Sequence, residues 1–243
     1  MHRLLVSSET LAAAAPILPA DAARHLKVLR PKAGEAIELF DGRGRSRVFA
    51  WNALRGGLAA TDASVVESAP ERKIPLTLFA CVTKGSRWDW TLEKATELGV
   101  GRIVPVLSER TIVRLKNEER AAKRERWARI TEDAARQSDA KWLPEVLAPV
   151  DFAATLPLVR ATTCFVGALA EPPPPPLAAA VAARLEAGGI ESAALYVGPE
   201  GDFTGAELAA LTAAAVPTSF GPSILRAETA AIFGLSVLAA LLP

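Results

Sequence analysis

Three short segments in the C-terminal third combine glycine, proline and charged residues in a way that could support chemistry. They are 167–171, 198–203 (Gly-Pro-Glu-Gly-Asp-Phe) and 221–229, and the last contains Arg226 and Glu228. Glycine lets the backbone approach a ligand closely, and proline stiffens such a loop. Together the segments could form a pocket of backbone N–H and C=O groups that binds a planar heterocycle, with a cation and a carboxylate beside it.

Each segment alone also has a simpler interpretation. Gly198-Pro199-Glu200-Gly201 is compatible with an ordinary tight turn between a strand and a helix. Arg226 and Glu228 precede an apolar run, where they could form a local ion pair that caps a helix. The spacing within one loop therefore does not decide its function.

Several other chemistries lack their residues. The chain has no G-x-x-x-x-G-K-[ST] phosphate loop, no G-x-S-x-G elbow and no third glycine after Gly42-Arg43-Gly44 that would complete a dinucleotide motif. His2 and His25 are the only histidines, which disfavours a catalytic triad or a histidine metal site, so we expect no metal. Any general base would be a carboxylate or the substrate itself.

The charge is unevenly distributed along a chain whose net charge is only +1. Residues 24–47 carry a net charge of +4 and residues 110–129 a net charge of +5, whereas residues 151–243 carry −5. Two basic segments of this kind are typical of proteins that bind a polyanion such as RNA, although solvated faces of opposite sign would give the same count.

The elements that must position these loops follow from the hydrophobic pattern. Residues 1–70 read as a small β-rich unit with a hairpin turn at 41–44, and a polar, proline-containing break follows at 69–73. Beyond Ile74 strands and helices alternate, which predicts an α/β fold with a parallel sheet covered on both faces. We expect strands at 76–82, 102–107, 163–168, 193–197 and 218–220, and helices at 89–98, 118–137, 177–187 and 227–242.

Ligands of such sheets bind beyond the carboxyl ends of the strands, where all three glycine-containing loops fall. Thr204 and Glu207 form a capping-box pattern for a helix after the second loop. The longest apolar run, 229–243, is shorter than the ~20 residues of a transmembrane helix. Two scattered cysteines and no apolar leader favour a cytoplasmic protein.

At these loops the sequence resembles the 16S rRNA (uracil-N3)-methyltransferase family (RsmE) of the SPOUT superfamily. The resemblance covers nearly the whole chain, in five ordered blocks. The blocks are Arg24–Arg30 with Gly34 and Phe40–Gly42; Lys84–Arg87 with Lys94–Val100; Ala134–Ser138 with Pro144–Glu145; Gly198–Gly201; and Ile224–Ala231. Two positions depart from the family pattern: Asp202 replaces a glycine, and Asp139-Ala140 stands where an arginine is common, with Lys141 as a candidate substitute.

The resemblance implies a fold, a cofactor and a substrate. The fold would be an N-terminal PUA-like RNA-binding β-barrel at 1–70 and a SPOUT α/β domain with a deep trefoil knot at 74–243. The cofactor would be S-adenosylmethionine, and the substrate a uridine in 16S rRNA of the small ribosomal subunit, methylated at N3 by a homodimer. Alternatives are another SPOUT enzyme that modifies a different base or a ribose 2′-hydroxyl, and a non-catalytic RNA-binding factor of ribosome assembly.

The resemblance also assigns candidate residues. Arg226 would bind phosphate or developing negative charge, and Glu228 would orient Arg226 or assist proton removal. The cofactor-binding candidates are Leu169, Gly198, Glu200, Gly201, Gly221 and Leu225. The RNA-binding candidates are Arg24, His25, Lys27, Arg30, Lys84 and Arg87.

Overall fold

The structure, a computed structural model, describes residues 1–52, 57–60 and 64–243. The chain divides into two compact units. Unit 1 contains Met1–Glu71 and Glu132–Leu143, and unit 2 contains Arg72–Thr131 and Pro144–Pro243. The sequence pattern places all of 74–243 in one domain. By its contacts, however, the segment 132–143 belongs to unit 1. The functional division into an RNA-binding and a catalytic domain stays a prediction.

Unit 1 is built on a five-stranded sheet, in agreement with the β-rich pattern of residues 1–70. Its strands are β1 (His2–Leu5), β2 (Ala36–Phe40), β3 (Arg45–Asn52), β4 (Gly57–Ala59) and β5 (Glu67–Ser68), in the order β1-β2-β3-β4 with β5 paired to β3. Strand β1 runs parallel to β2, and the other pairings are antiparallel. Two helices, α1 (Ser8–Ala12) and α2 (Ala20–Leu29), complete the unit, and Leu26 of α2 packs with Ile37 and Phe49 in the core.

The expected turn at 41–44 joins β2 to β3. Gly42 and Gly44 have φ angles of +67° and +86°, which favour glycine. The carboxylate of Asp41 accepts hydrogen bonds from the backbone N–H groups of Arg43 (2.9 Å) and Arg45 (3.1 Å). These bonds hold the pKa of Asp41 below its usual value, although burial acts in the opposite direction.

A buried ion cluster explains why 132–143 belongs to unit 1. The Arg3 guanidinium donates to the carboxylate of Glu38 (2.6 Å) and to the backbone carbonyls of Ala135 (2.6 Å) and Ala140 (3.2 Å). Lys141 donates to the other carboxylate oxygen of Glu38. Lys141, the candidate substitute for an RNA-binding arginine, is therefore engaged in a structural ion pair. A pattern of local hydrophobicity cannot reveal partners more than a hundred residues apart.

Unit 2 contains the predicted parallel sheet. Its strands are β6 (Leu76–Cys81), β7 (Arg102–Leu107), β8 (Glu145–Val146), β9 (Val150–Asp151), β10 (Thr163–Gly167), β11 (Ala193–Val197) and β12 (Val216–Thr218). The order is β12-β10-β11-β6-β7-β8, with β9 also paired to β7, and every pairing is parallel. Short β8 and β9 were not predicted, and the strand expected at 218–220 lies at Val216–Thr218 instead, where the register with β10 places Thr218 opposite Gly167.

Helices cover both faces of this sheet, as predicted. They are α3 (Ser86–Glu97), α4 (Asn117–Ser138), α5 (Phe152–Arg160), α6 (Leu177–Glu186), α7 (Gly205–Thr212) and α8 (Ala227–Leu241). Successive residues of β11 alternate between the two faces: Leu195 packs with Trp88, Leu235 and their neighbours, and Tyr196 packs with Phe79 and Phe203. Helix α5 was missed, since Pro157 lies inside it.

None of the helices in the described part of the chain is both long and apolar enough to span a membrane. The knot implied by the resemblance stays a prediction.

Candidate active site

The three glycine-containing loops meet at the carboxyl ends of β10, β11 and β12, which are neighbours in the sheet. Between them lies a cavity of about 280 Å³. Its lining is the set 167–169, 197–200, 202, 218–221, 223–227 and 230. The cavity therefore lies where a parallel α/β sheet binds its ligands, and one unit of the chain supplies all of its lining.

Two glycines of the cavity are required by the aromatic rings beside them. A Cβ atom on Gly167 would lie 2.6 Å from the ring of Phe220, and one on Gly198 would lie 3.0 Å from the ring of Phe203. Both distances are shorter than an ordinary carbon–carbon contact of about 3.5 Å. Close packing, which the sequence could not show, thus accounts for glycine at these two positions.

The loop 198–203 is held in shape by its own residues. The backbone N–H of Asp202 donates to the carbonyl of Pro199 (3.0 Å), and Phe203 packs edge-on against Tyr196, with ring centroids 5.6 Å apart. Asp202 has a φ of +58°, and its carboxylate accepts a hydrogen bond from the N–H of Phe203 (2.7 Å). Aspartate tolerates this left-handed conformation better than most residues, so the departure from glycine at 202 preserves the turn.

The segment after β7 makes contacts that support the loop 198–203. The buried carboxylate of Glu207 accepts hydrogen bonds from the N–H groups of Thr204 (3.0 Å) and Glu109 (2.9 Å). Thr204 and Glu207 form the predicted capping box of α7. Arg110 donates to the carbonyls of Gly201 (3.0 Å) and Phe203 (3.4 Å). The segment after β7 is therefore fastened to the loop after β11.

The loop after β12 leads into α8. The N–H of Gly221, at a φ of +117°, donates to the hydroxyl of Ser219 (3.2 Å). Ile224 is 79% exposed, which is unusual for a large apolar side chain at the mouth of a cavity. Arg226 is the residue before α8, and its exposed side chain makes no hydrogen bond or ion pair with any residue that the structure describes.

The carboxylate of Glu228 faces Arg87, where the sequence suggested Arg226. The Arg87 guanidinium lies 3.7 Å from Glu228 and 3.7 Å from Glu200. Residues two apart at a helix start do not face each other, which separates Arg226 from Glu228. The Glu228 Oε2 atom is buried and has no hydrogen-bond partner in the described part of the chain. A buried, unpartnered carboxylate oxygen is costly, and such atoms often belong to functional sites.

The structure brings most of the predicted cofactor-binding residues together. Leu169, Gly198, Glu200, Gly221 and Leu225 line the cavity, whereas Gly201 lies in the same loop but faces Arg110. Arg226 lines the cavity too. Glu228 is not in the lining, but Arg87 lies between its carboxylate and that of the lining residue Glu200. Sequence reasoning missed Ser219, Phe220 and Ser223, which have no motif that would identify them.

The predicted RNA-binding residues are all exposed. Arg24, His25, Lys27 and Arg30 lie on or just after α2 in unit 1, and Lys84 precedes α3 in unit 2.

The second basic segment, 110–129, has most of its arginines bound to other groups of the protein. Five of its arginines make intramolecular contacts: Arg110, Arg114, Arg120, Arg124 and Arg126. Its net charge therefore overstates the number of cations that it offers to a polyanion.

Other catalytic groups are disfavoured. Cys81 and Cys164 are free and buried, and burial raises the pKa of each thiol to about 12, so neither is a thiolate near neutral pH. Within the described ranges, no group of three His, Cys, Asp or Glu side chains is placed to hold a metal ion. The candidate groups for chemistry at the cavity are therefore Arg87, Glu200, Arg226, Glu228 and the surrounding backbone.

Comparison with known proteins identifies the family to which the chain is similar. A family model described as an RNA methyltransferase domain matches residues 70–239, and one described as an RNA methyltransferase PUA domain matches residues 18–49. The ribosomal RNA small subunit methyltransferase E of Synechocystis sp. is 32% identical over 252 residues, covering 99% of this chain and 78% of that protein. The protein of the same name from Bacillus subtilis is 33% identical over 171 residues, covering 69% of this chain and 67% of its own length.

Solved structures are similar over the full length. That of the ribosomal RNA small subunit methyltransferase E from Neisseria gonorrhoeae, bound to S-adenosyl methionine, has a TM-score of 0.79 and 27% identity, covering 100% of this chain and 98% of that one. That of a methyltransferase from Legionella pneumophila, also with the cofactor bound, has a TM-score of 0.78 and 27% identity, covering 98% of this chain and 96% of that one. This chain belongs to the ribosomal RNA small subunit methyltransferase E family.

Proposed function

We propose that this protein transfers a methyl group from S-adenosylmethionine to N3 of a uridine in 16S rRNA of the small ribosomal subunit. The observation that carries the proposal is the cavity at the ends of β10, β11 and β12, with Arg226 in its lining and the buried Glu228 carboxylate beside Arg87. Family membership supports the cofactor and the rRNA substrate, and the resemblance supports the methylated atom.

The position and the lining of the cavity support a small-molecule cofactor. Its volume of about 280 Å³ lies just below the range of typical small-molecule pockets, roughly 300–1,000 Å³. The lining includes Gly167, Gly198 and Gly221, where a ligand can approach the backbone closely. Leu169 and Leu225 add apolar surface. We assign cofactor contacts to Leu169, Gly198, Glu200, Gly221 and Leu225, while Gly201 shapes the loop. When bound, S-adenosylmethionine supplies an electrophilic methyl group on a sulfonium.

Methylation at N3 requires loss of the imide proton, and the remaining charge spreads over N3, O2 and O4 of uracil. The unpartnered Oε2 atom of Glu228 would accept that proton. The lone pair left on N3 would then form the new N–C bond while the bond between the methyl carbon and the sulfonium breaks, and the electron pair of that bond would stay on sulfur. Arg87, in contact with Glu228, would hold the carboxylate in place and compensate its charge. Arg226 would stabilise the charge on the uracil oxygens or bind an adjacent phosphate.

RNA binding would use exposed cations of both units. Arg24, His25, Lys27 and Arg30 would contact phosphates, and Lys84 and Arg87 would lie beside the active site. Phosphate contacts release counterions, so affinity should fall steeply as salt increases. A flat response between low and physiological ionic strength would argue against these assignments. The proposal includes a homodimer, a knotted catalytic domain and a cytoplasmic location, as the family resemblance implies.

The experiment is a transfer assay with nucleoside identification. Purified protein is incubated with labelled S-adenosylmethionine and small ribosomal subunits that lack the modification, and the digested rRNA is analysed by mass spectrometry. We expect N3-methyluridine at one site. A different methylated nucleoside would place the protein in another SPOUT branch. Cofactor binding without transfer to subunits or free rRNA would contradict the proposed substrate. No cofactor binding at all would contradict the catalytic role.

A further inference from the structure

Unit 1 contains a second cavity, distinct from the proposed active site. It has a volume of about 520 Å³ and lies under α2, between that helix and strands β3 and β4. Its lining is apolar except for two cations: Pro16, Ile17, Leu18, Ala23, Leu26, Lys27, Arg30, Pro31, Trp51, Gly57 and Leu58. No carboxylate of a described residue lines it. The cavity therefore combines an apolar interior with a positively charged rim.

The interior is rigid on one side and accessible on the other. Leu26 and Leu58 are buried and belong to the core of unit 1, so they form a fixed floor. Trp51 is held by its backbone, which accepts from Gly34 (2.8 Å) and donates to Glu35 (2.8 Å). Its partly exposed indole is an aromatic surface at the cavity wall. Ile17 is 88% exposed at the entrance, where an uncovered apolar side chain is costly in water.

The rim cations have no partner among the residues that the structure describes, so they can bind a ligand. The side chains of Lys27 and Arg30 make no hydrogen bond or ion pair with any other residue in the described ranges, and the same holds for Arg24 on the same helix. In contrast, five of the arginines in 110–129 are already bonded within unit 2. Arg30 has a φ of +49° at the end of α2, a conformation unusual for arginine, which turns the chain at the cavity rim.

We propose that this cavity is a binding site for one unpaired RNA base, with its flanking phosphates on Lys27 and Arg30. A nucleotide has the matching chemistry, because its flat base suits an apolar wall with an indole and its phosphate suits an unpaired cation. A peptide of apolar residues would fill the interior but would leave both cations unpaired. The proposal rests on the proposed function only in that the substrate is RNA.

The test distinguishes binding of the base from binding of the sugar-phosphate backbone. Two labelled strands are compared by fluorescence anisotropy at one salt concentration: a 12-nucleotide oligouridine and an abasic ribose-phosphate strand of the same length and charge. Stacking is worth about 1–3 kcal/mol per base, so the full-length protein should bind oligouridine about 5- to 150-fold more tightly. Equal affinity for the two strands overturns the proposal, and it is also the result that an apolar peptide ligand predicts.

A filling variant assigns the preference to this cavity. Ala23→Leu adds bulk to the lining without changing charge, and leucine suits a helix. We expect A23L to bind both strands with the low affinity that the unaltered protein has for the abasic strand. The control, Ala20→Leu, lies one turn earlier on α2, is exposed and is outside the lining, so it should keep the preference. An A23L variant that keeps the preference overturns the proposal.

Methyl transfer to small ribosomal subunits is measured on the same unaltered preparation. Failure of transfer together with a clear preference for oligouridine contradicts the proposed function and supports this site. Transfer together with equal affinity for the two strands contradicts this site and leaves the proposed function standing.

Discussion

Arg87 and Glu228 lie 3.7 Å apart, one in the first turn of α3 and the other in the first turn of α8. Each of these helices begins beyond the carboxyl end of a strand, so the pair marks the edge of the sheet where the cavity lies. The pairing gives Glu228 a neighbouring cation, while its Oε2 atom has no hydrogen-bond partner among the described residues.

Replacement of either member should reduce turnover. Glu228→Gln removes the proposed proton acceptor, and general-base catalysis is worth about 10²–10⁴-fold, so we expect a loss in kcat of at least 10²-fold with little change in cofactor affinity. Arg87→Ala should lower kcat as well. Arg87→Lys should keep part of the kcat, because lysine has the positive charge but lacks the planar guanidinium that donates two parallel hydrogen bonds.

The measurement is single-turnover transfer on small ribosomal subunits, with cofactor affinity from calorimetry. Arg102→Ala is a matched control, since it breaks an exposed arginine–glutamate pair with Glu145 elsewhere in unit 2. R102A should behave like the unaltered protein. Wild-type kcat in E228Q would remove Glu228 from the mechanism.

The close packing at Gly167 predicts a specific loss of cofactor binding. Gly167→Ala would place a Cβ atom 2.6 Å from the ring of Phe220, and relief of such overlap costs about 1–3 kcal/mol. Because Phe220 also lines the cavity, we expect its displacement to weaken S-adenosylmethionine binding about 10-fold or more. Calorimetric titration measures this affinity.

The control for Gly167→Ala is Gly205→Ala, where no atom would lie within 4 Å of the added Cβ. G205A should bind the cofactor normally. Unchanged affinity in G167A would show that Phe220 is free to move without affecting the pocket, contrary to our assignment of the cavity.

The hydrogen bond between Glu207 and Glu109 predicts that the loop after β7 supports the loop 198–203. Glu207→Gln places an amide N–H₂ group where a carboxylate now accepts from two backbone N–H groups, so one donor is left without a partner. Loss of a cap costs about 1 kcal/mol, and an unsatisfied buried donor adds about 1–3 kcal/mol. We expect lower stability, faster amide exchange at residues 109 and 204, and a raised KM for the cofactor.

Urea unfolding, hydrogen exchange and steady-state kinetics test the Glu207→Gln variant together. The exposed Glu191→Gln serves as its control in the same unit. A destabilised E207Q with an unaltered KM would confine Glu207 to a structural role in α7.

The sequence predicted the parts of this structure that depend on local pattern. Strands such as Ala193–Val197 and helix α8 are continuous apolar runs bounded by glycine, proline or charge, and chemistry was placed at the strand ends by a general rule of parallel sheets. The capping box at Thr204 was visible because both of its residues lie within four positions.

What the sequence could not predict depends on distant partners. The pairing of Glu228 with Arg87 instead of Arg226 joins two helices far apart in the chain. The arginines of 110–129 look like an RNA-binding segment until their contacts with Gly201, Asp151 and Asp89 are known. Likewise, the attachment of 132–143 to unit 1 depends on Arg3, which precedes its partners Ala135 and Ala140 by 132 and 137 residues.

The buried cluster around Glu38 predicts how the stability of unit 1 depends on pH. Burial alone would raise the pKa of Glu38, but hydrogen bonds from Lys141, Arg3 and Ser46 outweigh it, and the pKa in the folded protein is lower than the usual 4.5. A carboxyl group with a lowered pKa in the folded state stabilises it at pH values above the unfolded-state pKa. This contribution is lost as the pH falls below 4.5 through the folded-state pKa.

Glu38→Gln should therefore destabilise unit 1 at pH 7, by about 3 kcal/mol, because Arg3 and Lys141 lose their buried charged partner and keep only the exposed carboxylate of Asp139. The difference from the unaltered protein should shrink as the pH falls below 4.5. Urea unfolding of both proteins between pH 7 and pH 3 measures it, with Glu67→Gln, an exposed position in the same unit, as the control. A pH-independent difference would mean that the shape of Glu38, and not its charge, holds 132–143 against the sheet.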